Sequence, residues 1–185
     1  MCTEHIIVAE TSILVTNSEQ LFSWDEYGLN LYIPENSLPA NLQQCSIHIK
    51  ATIMGDGQLP QDTHLVSAVY WIECVPKCQF SQPLTLEIQH CAKPEGASQL
   101  CFVKSSSMDH GKERVNFETM PGNISCHSSY GFIELDSFFG GYGVGKKGAK
   151  ERQYCASTHY SEEHKGQKIH FTIFWNTKVH NKVCK

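Results

Sequence analysis

The sequence predicts an all-β fold, an antiparallel β-sandwich. Its clearest segments alternate apolar and polar residues with a period of two, which is how a half-buried strand reads. Clusters of Gly, Pro, Asn and Ser separate these segments at spacings typical of a sandwich. No stretch of ten or more residues shows the 3.6-residue period of a helix, so the crossover helices that a parallel sheet needs are missing.

Four segments alternate most regularly and are predicted as strands: 47–53, 66–74, 84–88 and 169–175. In the first of them Ile47, Ile49 and Ile53 share one face, while His48 and Lys50 share the other. Shorter strands are predicted near 5–9, 12–16, 20–24, 29–33, 100–104, 131–135 and 141–144.

The chain of 185 residues fits one main domain, with 41% hydrophobic and 18% charged residues. We expect the sandwich to occupy 1–145 and a polar linker to follow at 146–166. The terminal segment 167–185 then holds one strand, which either completes the sandwich or begins a truncated second module.

Charge and targeting features predict a cytoplasmic protein that binds neither nucleic acid nor membranes. The formal charge is −4, and the basic residues are scattered except for a short run at 146–152, which we interpret as a solvated linker. The N-terminus lacks the basic and apolar regions of a secretion signal. Nine cysteines are an odd number, and without an export signal we expect all of them to be reduced.

The run from Gly140 to Lys147 contains the Gly-x4-Gly-Lys half of a phosphate-binding loop. Lys147 stands where the magnesium-binding hydroxyl belongs, and no amphipathic helix follows. We therefore interpret the run as a glycine-rich strand end and linker, with nucleotide binding as a weaker alternative and no cofactor expected.

Four soft ligands are candidates for a zinc site: Cys74, Cys78, His90 and Cys91. Tetrahedral zinc requires all four within about 2.0–2.3 Å of the metal. The cysteines also suit apolar packing positions of a sandwich, so buried thiols are the preferred interpretation and no metal is expected.

Two segments, 28–39 and 67–92, resemble the ZU-five domain, the sandwich module shared by zonula-occludens scaffolds, netrin receptors, ankyrins and certain death-domain adaptors. The first resembles the family's strand and Ile-Pro turn. The second resembles its strand into a Cys-Gly-Pro turn, a following Phe and Pro, and a closing His-Cys-Ala. The residues that match these family motifs, with a structural role, are Pro34, Cys74, Pro76, Phe80, Pro83, His90 and Cys91.

The resemblance implies a protein-protein interaction module without a catalytic site, acting in a cytoplasmic signalling or scaffold protein beside UPA or death domains. Residues 168–174 weakly resemble the opening of a UPA domain. Some relatives cleave their own backbone at a His-Phe-Ser motif, and self-processing is the alternative function. Here the corresponding residues are Ser137, Phe138 and Phe139, which place no hydroxyl to attack the Phe138 carbonyl.

Overall fold

The computed structural model describes residues 6–53, 59–92, 99–106, 115–124, 129–148, 154–163 and 166–175, the last two ranges by their backbone alone. Regular structure in these ranges consists of strands, with one 3-10 turn at Asp25–Tyr27. No helix in the described ranges has the length and apolar character that crossing a bilayer requires. The strands are β1 (Ile6–Val15), β2 (Gln20–Trp24), β3 (Leu29–Ile33), β4 (Cys45–Ile53), β5 (Thr63–Leu65), β6 (Val69–Val75), β7 (Leu84–Gln89), β8 (Leu100–Ser105), β9 (Glu118–Met120), β10 (Asn123–Ile124), β11 (Tyr130–Leu135), β12 (Phe139–Lys147), β13 (Tyr154–Glu163) and β14 (Gly166–Trp175).

Two antiparallel sheets form the sandwich, which confirms the predicted fold class. The seven-stranded sheet has the order β1-β4-β6-β12-β8-β9, with β5 also paired to β12. The five-stranded sheet has the order β10-β11-β7-β3-β2. Among the strands of the described ranges, β13 and β14 form a separate two-stranded sheet with each other.

The main core lies between the two sheets because each strand contributes its apolar phase to the interior. Tyr70 of β6 crosses this layer, and its buried hydroxyl donates a hydrogen bond to the Tyr27 carbonyl beyond the end of β2. A buried phenol needs such a partner. Fully or nearly fully buried members of the core include Leu29, Leu31, Ile33, Ile47, Ile49, Ile72, Leu84, Leu86, Ile88, Phe102, Phe138 and Val144.

A second, smaller cluster covers part of the outer side of the seven-stranded sheet. It consists of Val69, Trp71, Val103, Val115 and Phe117. Val69 and Trp71 lie on the opposite face of β6 from Tyr70, so β6 is buried on both sides. The segment around 115–117 thereby shields this sheet from solvent.

The expected linker at 146–166 differs from the structure in two respects. β12 continues through Lys147, and β13 lies within the range; residues 149–153 and 164–165 lie outside the described ranges. Strand pairing needs only backbone hydrogen bonds, so the polar composition of 154–163 did not reveal β13. The division into 1–145, 146–166 and 167–185 stays a prediction.

Candidate functional site

The outer side of the five-stranded sheet is the candidate site, and we call it the open face. Its side chains occupy the outward positions of four adjacent strands, in two rows set by the strand register. The rows are Leu21, Tyr32, Thr85, Glu134 and Ser23, Asn30, Glu87, Phe132.

Three large apolar side chains of the open face meet solvent. Leu21 is 71% exposed, and Tyr32 and Phe132 are each 38% exposed. Leu21 and Tyr32 are direct cross-strand partners, so they form one apolar patch at the β2 edge. Contact with solvent gives these side chains little role in the core, and exposed aromatic groups of this kind are enriched in binding surfaces.

The charges of the open face are negative. Glu87 and Glu134 project from it, and Glu19 at its edge accepts a hydrogen bond from the Tyr32 hydroxyl at 3.2 Å. Glu87 also accepts a 3.1 Å hydrogen bond from the Asn30 amide, which fixes the position of its carboxylate. None of β2, β3, β7, β10 and β11 contains Lys or Arg.

The negative charge near the open face also affects the pKa of Tyr130. Burial is the main cause that raises the pKa of Tyr130, and the carboxylates of Asp25 and Glu87 raise it further. An apolar patch beside carboxylates that no cation of the same sheet neutralises can attract a partner surface carrying Lys or Arg.

Most of the family-motif residues lie at one end of the sandwich, where two turns meet. Pro34 follows β3, and Pro83 precedes β7, where its missing N–H removes no ladder bond. Pro76 follows β6 after a cis Val75–Pro76 peptide bond. The two turns are joined by hydrogen bonds from Ser81 N to Ser37 O at 2.7 Å and from Gln82 Nε2 to Glu35 O at 3.0 Å.

Phe80 anchors the second of these turns in the core. Its ring meets Phe138 edge to face, with the centroids 6.0 Å apart, and its amide donates to the Asp136 carbonyl. Burial of this aromatic pair holds the turn against β12. The matched Pro34, Pro76, Phe80 and Pro83 thus occupy turn and packing positions.

His90 and Cys91 lie at the opposite end, beyond β7. His90 N donates to Ser129 O at 2.7 Å, and Cys91 N donates to Val66 O at 2.9 Å. The His90 ring is buried, neither of its nitrogens has a hydrogen-bond partner among the described residues, and burial lowers its pKa. The ring is therefore held neutral.

The expectation that all nine cysteines are reduced is wrong at Cys91, which is disulfide-bonded. Its partner is not Cys45, Cys74, Cys78 or Cys101, because these four are free. Cys91 is exposed just past a strand end, where another segment of the chain can reach its sulfur.

The zinc set considered from the sequence is also wrong. Cys74 lies at the end of the sandwich next to Phe138, where β7 begins at Leu84. His90 lies at the other end of β7, about 20 Å from Leu84 at the rise of a strand. Instead, the structure places Cys45 beside Cys74 and Cys78, with the three sulfurs within 4.8 Å of one another.

The three thiols share a poorly solvated environment. Cys45 and Cys74 are almost fully buried, and Cys78 is partly exposed in the turn. Burial raises the pKa of Cys45 and of Cys74, and for Cys74 the neighbouring thiols raise it further. The Cys45 and Cys74 thiols are therefore protonated at neutral pH.

The glycine run resembling a phosphate-binding loop is a central strand of the seven-stranded sheet, β12, which excludes the loop geometry. Its glycines leave space for the side chains of neighbouring strands that pack against β12. A Cβ on Gly141 would lie 3.0–3.1 Å from the Trp71 ring, and one on Gly145 would lie 2.7 Å from the Thr63 methyl group. Close packing of the second cluster explains the glycines better than phosphate binding does.

The segment that corresponds to the self-cleavage motif is held in the β12 ladder. The Phe138 carbonyl accepts a hydrogen bond from Cys74 N at 3.3 Å, while the Phe139 ring points outward beneath the Lys77 ammonium, 3.9 Å from its centroid. The Tyr142 hydroxyl lies 3.4 Å from Phe139 N. Burial raises the pKa of Tyr142, so this phenol is a poor nucleophile.

Sequence reasoning did not identify the open face or Cys45. A signal for the open face exists, since Leu21, Tyr32 and Phe132 each fall on the polar phase of their strand, beside Ser23, Asn30 and Glu134. Cys45 had no comparable signal, because its proximity to Cys74 depends on the pairing of β4 with β6.

Comparison with known proteins agrees with the motif residues. A family model described as the ZU5 domain matches residues 11–107, slightly more than half of the chain. A search of the curated proteins found no match. The matched range contains both motif segments and all strands from β2 to β8. The chain belongs to the ZU5 domain family, a family of protein-interaction modules.

Proposed function

We propose that this chain is a non-catalytic interaction module of a cytoplasmic signalling or scaffold protein, and that it docks a basic protein surface on its open face. The single observation that carries the proposal is the open face itself, on which Leu21, Tyr32 and Phe132 are exposed among carboxylates. By resemblance to the family, the partner is a UPA-type or death-domain-type module.

The chemistry of the open face favours a protein partner over nucleic acid or an anionic lipid surface. Phosphate backbones and anionic headgroups are repelled by Glu87 and Glu134, whereas Lys and Arg side chains are attracted to them. The Leu21 and Tyr32 patch supplies apolar area that an interface can desolvate.

Proximity labelling in cells with three forms of the protein tests this proposal. The forms are wild type, Leu21→Ser with Tyr32→Ser, and the control Leu14→Ser, which removes a side chain that is 54% exposed on β1 in the other sheet. We expect neighbours that are lost with the double variant and retained with the control. Identical labelling by all three forms, or loss with the control alone, would contradict the proposal.

The non-catalytic part of the proposal predicts that the backbone between Phe138 and Phe139 stays intact. Phe139 offers no hydroxyl, and the Tyr142 phenol is held protonated. Intact-mass measurement after prolonged incubation should show one species of the full chain mass. A pair of fragments divided after Phe138 would overturn the non-catalytic assignment.

A further inference from the structure

The Cys45, Cys74 and Cys78 sulfurs converge from three separate pieces of backbone. Cys45 is the first residue of β4, Cys74 faces inward near the end of β6, and Cys78 belongs to the following turn. The Cys74 and Cys78 sulfurs are 3.7 Å apart, and all three lie within 4.8 Å of one another as free thiols.

We propose that these three cysteines form a binding site for one soft, thiophilic cation. Thiolates bound to one metal at about 2.3 Å in tetrahedral or trigonal geometry are separated by roughly 3.8–4.0 Å. The Cys74 to Cys78 separation of 3.7 Å lies about 0.1 Å below this range, and Cys45 needs a shift of no more than about 1 Å. Rotation of a cysteine side chain supplies a movement of that size.

The donor set decides the class of cation. Within the described part of the chain, the group contains three sulfurs and no carboxylate or imidazole, which favours Cu⁺ or Zn²⁺ over the hard ions Mg²⁺ and Ca²⁺. Cu⁺ needs no fourth donor, whereas Zn²⁺ takes a water molecule, for which the partly exposed side of Cys78 leaves an approach. Either ion displaces the thiol protons on binding.

A bound cation would tie the turn that carries Pro76 and Phe80 to the paired strands β4 and β6. Its ligands would lie at the start of β4 and near the end of β6, next to the family-motif residues. Such a site stabilises the folded chain because the unfolded chain has no preformed cluster.

Metal titration of the full chain, reduced and freed of metal, tests the site. Cd²⁺ serves as the spectroscopic probe for the Zn²⁺ arm, and Cu⁺ is added anaerobically in a second arm. Cys78→Ser is the test variant because Cys78 is partly exposed, and Cys101→Ser is the matched control because it removes a free, partly exposed thiol outside the cluster.

We expect wild type and Cys101→Ser to bind one equivalent with a thiolate charge-transfer band, and Cys78→Ser to bind at least ~10-fold more weakly. Displacement of Cd²⁺ by Zn²⁺ assigns the site to zinc, and binding of Cu⁺ alone assigns it to copper. Equal affinity in all three forms, or no tight binding to folded wild type, would overturn the proposal and leave buried thiols only.

A second measurement keeps the test independent of the variant's folding. In folded wild type, the bound ion should slow alkylation of Cys78 while leaving that of Cys101 unchanged, as read by peptide mass spectrometry. Equal rates at Cys78 with and without the ion would contradict the site.

Discussion

The outer faces of the two sheets are built from the same kind of alternating strands but lie in different environments. On the seven-stranded sheet, Trp71 and Val103 are covered by Val115 and Phe117, and β12 carries glycine at position 141, where the Trp71 ring packs closely. On the five-stranded sheet, Leu21 and Phe132 meet solvent. Where Val115 and Phe117 cover the seven-stranded sheet, an apolar residue on the outer phase of a strand contributes to folding, whereas on the open face such a residue is available for binding.

The two faces also differ in how their charges are distributed. On β1 and β4 of the seven-stranded sheet, Glu10 faces Lys50 at 3.7 Å and Ser12 hydrogen-bonds His48 at 2.7 Å. These pairs balance charge and polarity across the strands. The open face has no cation in its strands, so its carboxylates are left for a partner.

The largest predicted effect is on stability, at the covered face. Trp71→Ala should lower the free energy of unfolding by about 3–5 kcal/mol, because it removes a buried ring from the second cluster. Leu21→Ala should change it by less than about 0.5 kcal/mol, since Leu21 is 71% exposed. Urea denaturation of both variants measures the difference, and similar losses would break the comparison.

A smaller effect on stability concerns His90, which is buried just beyond the end of β7. Because burial lowers its pKa below the ordinary value of 6.5, the unfolded chain takes up a proton at higher pH than the folded chain does. Stability should therefore fall as the pH drops from about 6.5 towards the folded pKa of His90.

Urea midpoints at about pH 7.5 and about pH 5.5 measure this dependence, with His90→Gln as the comparison. The variant should lose less stability between the two conditions than wild type does. An identical loss in both would show that His90 does not contribute.

The smallest predicted effect is at the exposed ion pair between Glu10 and Lys50. Lys50→Ala should change the free energy of unfolding by no more than about 0.5 kcal/mol, because solvent screens this pair and both side chains are free to move. The change in the free energy of unfolding should be nearly the same at low and at high salt. A loss above about 1 kcal/mol would show that the pair has a structural role beyond charge balance.

The sequence predicted the sandwich because its strands obey local rules. Leu84, Leu86 and Ile88 alternate with polar residues and are buried in β7, as expected. The motif segments also predicted the family, which the match over 11–107 confirms. These features depend on neighbouring residues, which sequence patterns record directly.

Features that depend on distant pairing were missed. Val69 and Trp71 are buried on the outer side of β6 because their cover comes from 115–117, far along the chain, and no local pattern indicates it. Cys45 joins Cys74 only through the register of β4 with β6. The run with Gly141 and Gly145 was interpreted as a strand end and linker, and its packing role was missed because the side chains that contact these glycines are not adjacent in sequence.

The most direct test of the central claim is to measure the affinity of a partner identified by labelling for charge-reversed forms of each face. Glu87→Lys with Glu134→Lys alters the open face, and Glu10→Lys alters the other sheet as the control. Titration calorimetry at low salt should show at least ~10-fold weaker binding for the first form and unchanged binding for the control. Equal affinity for all forms, or a loss confined to Glu10→Lys, would contradict the assignment of the open face as the docking surface.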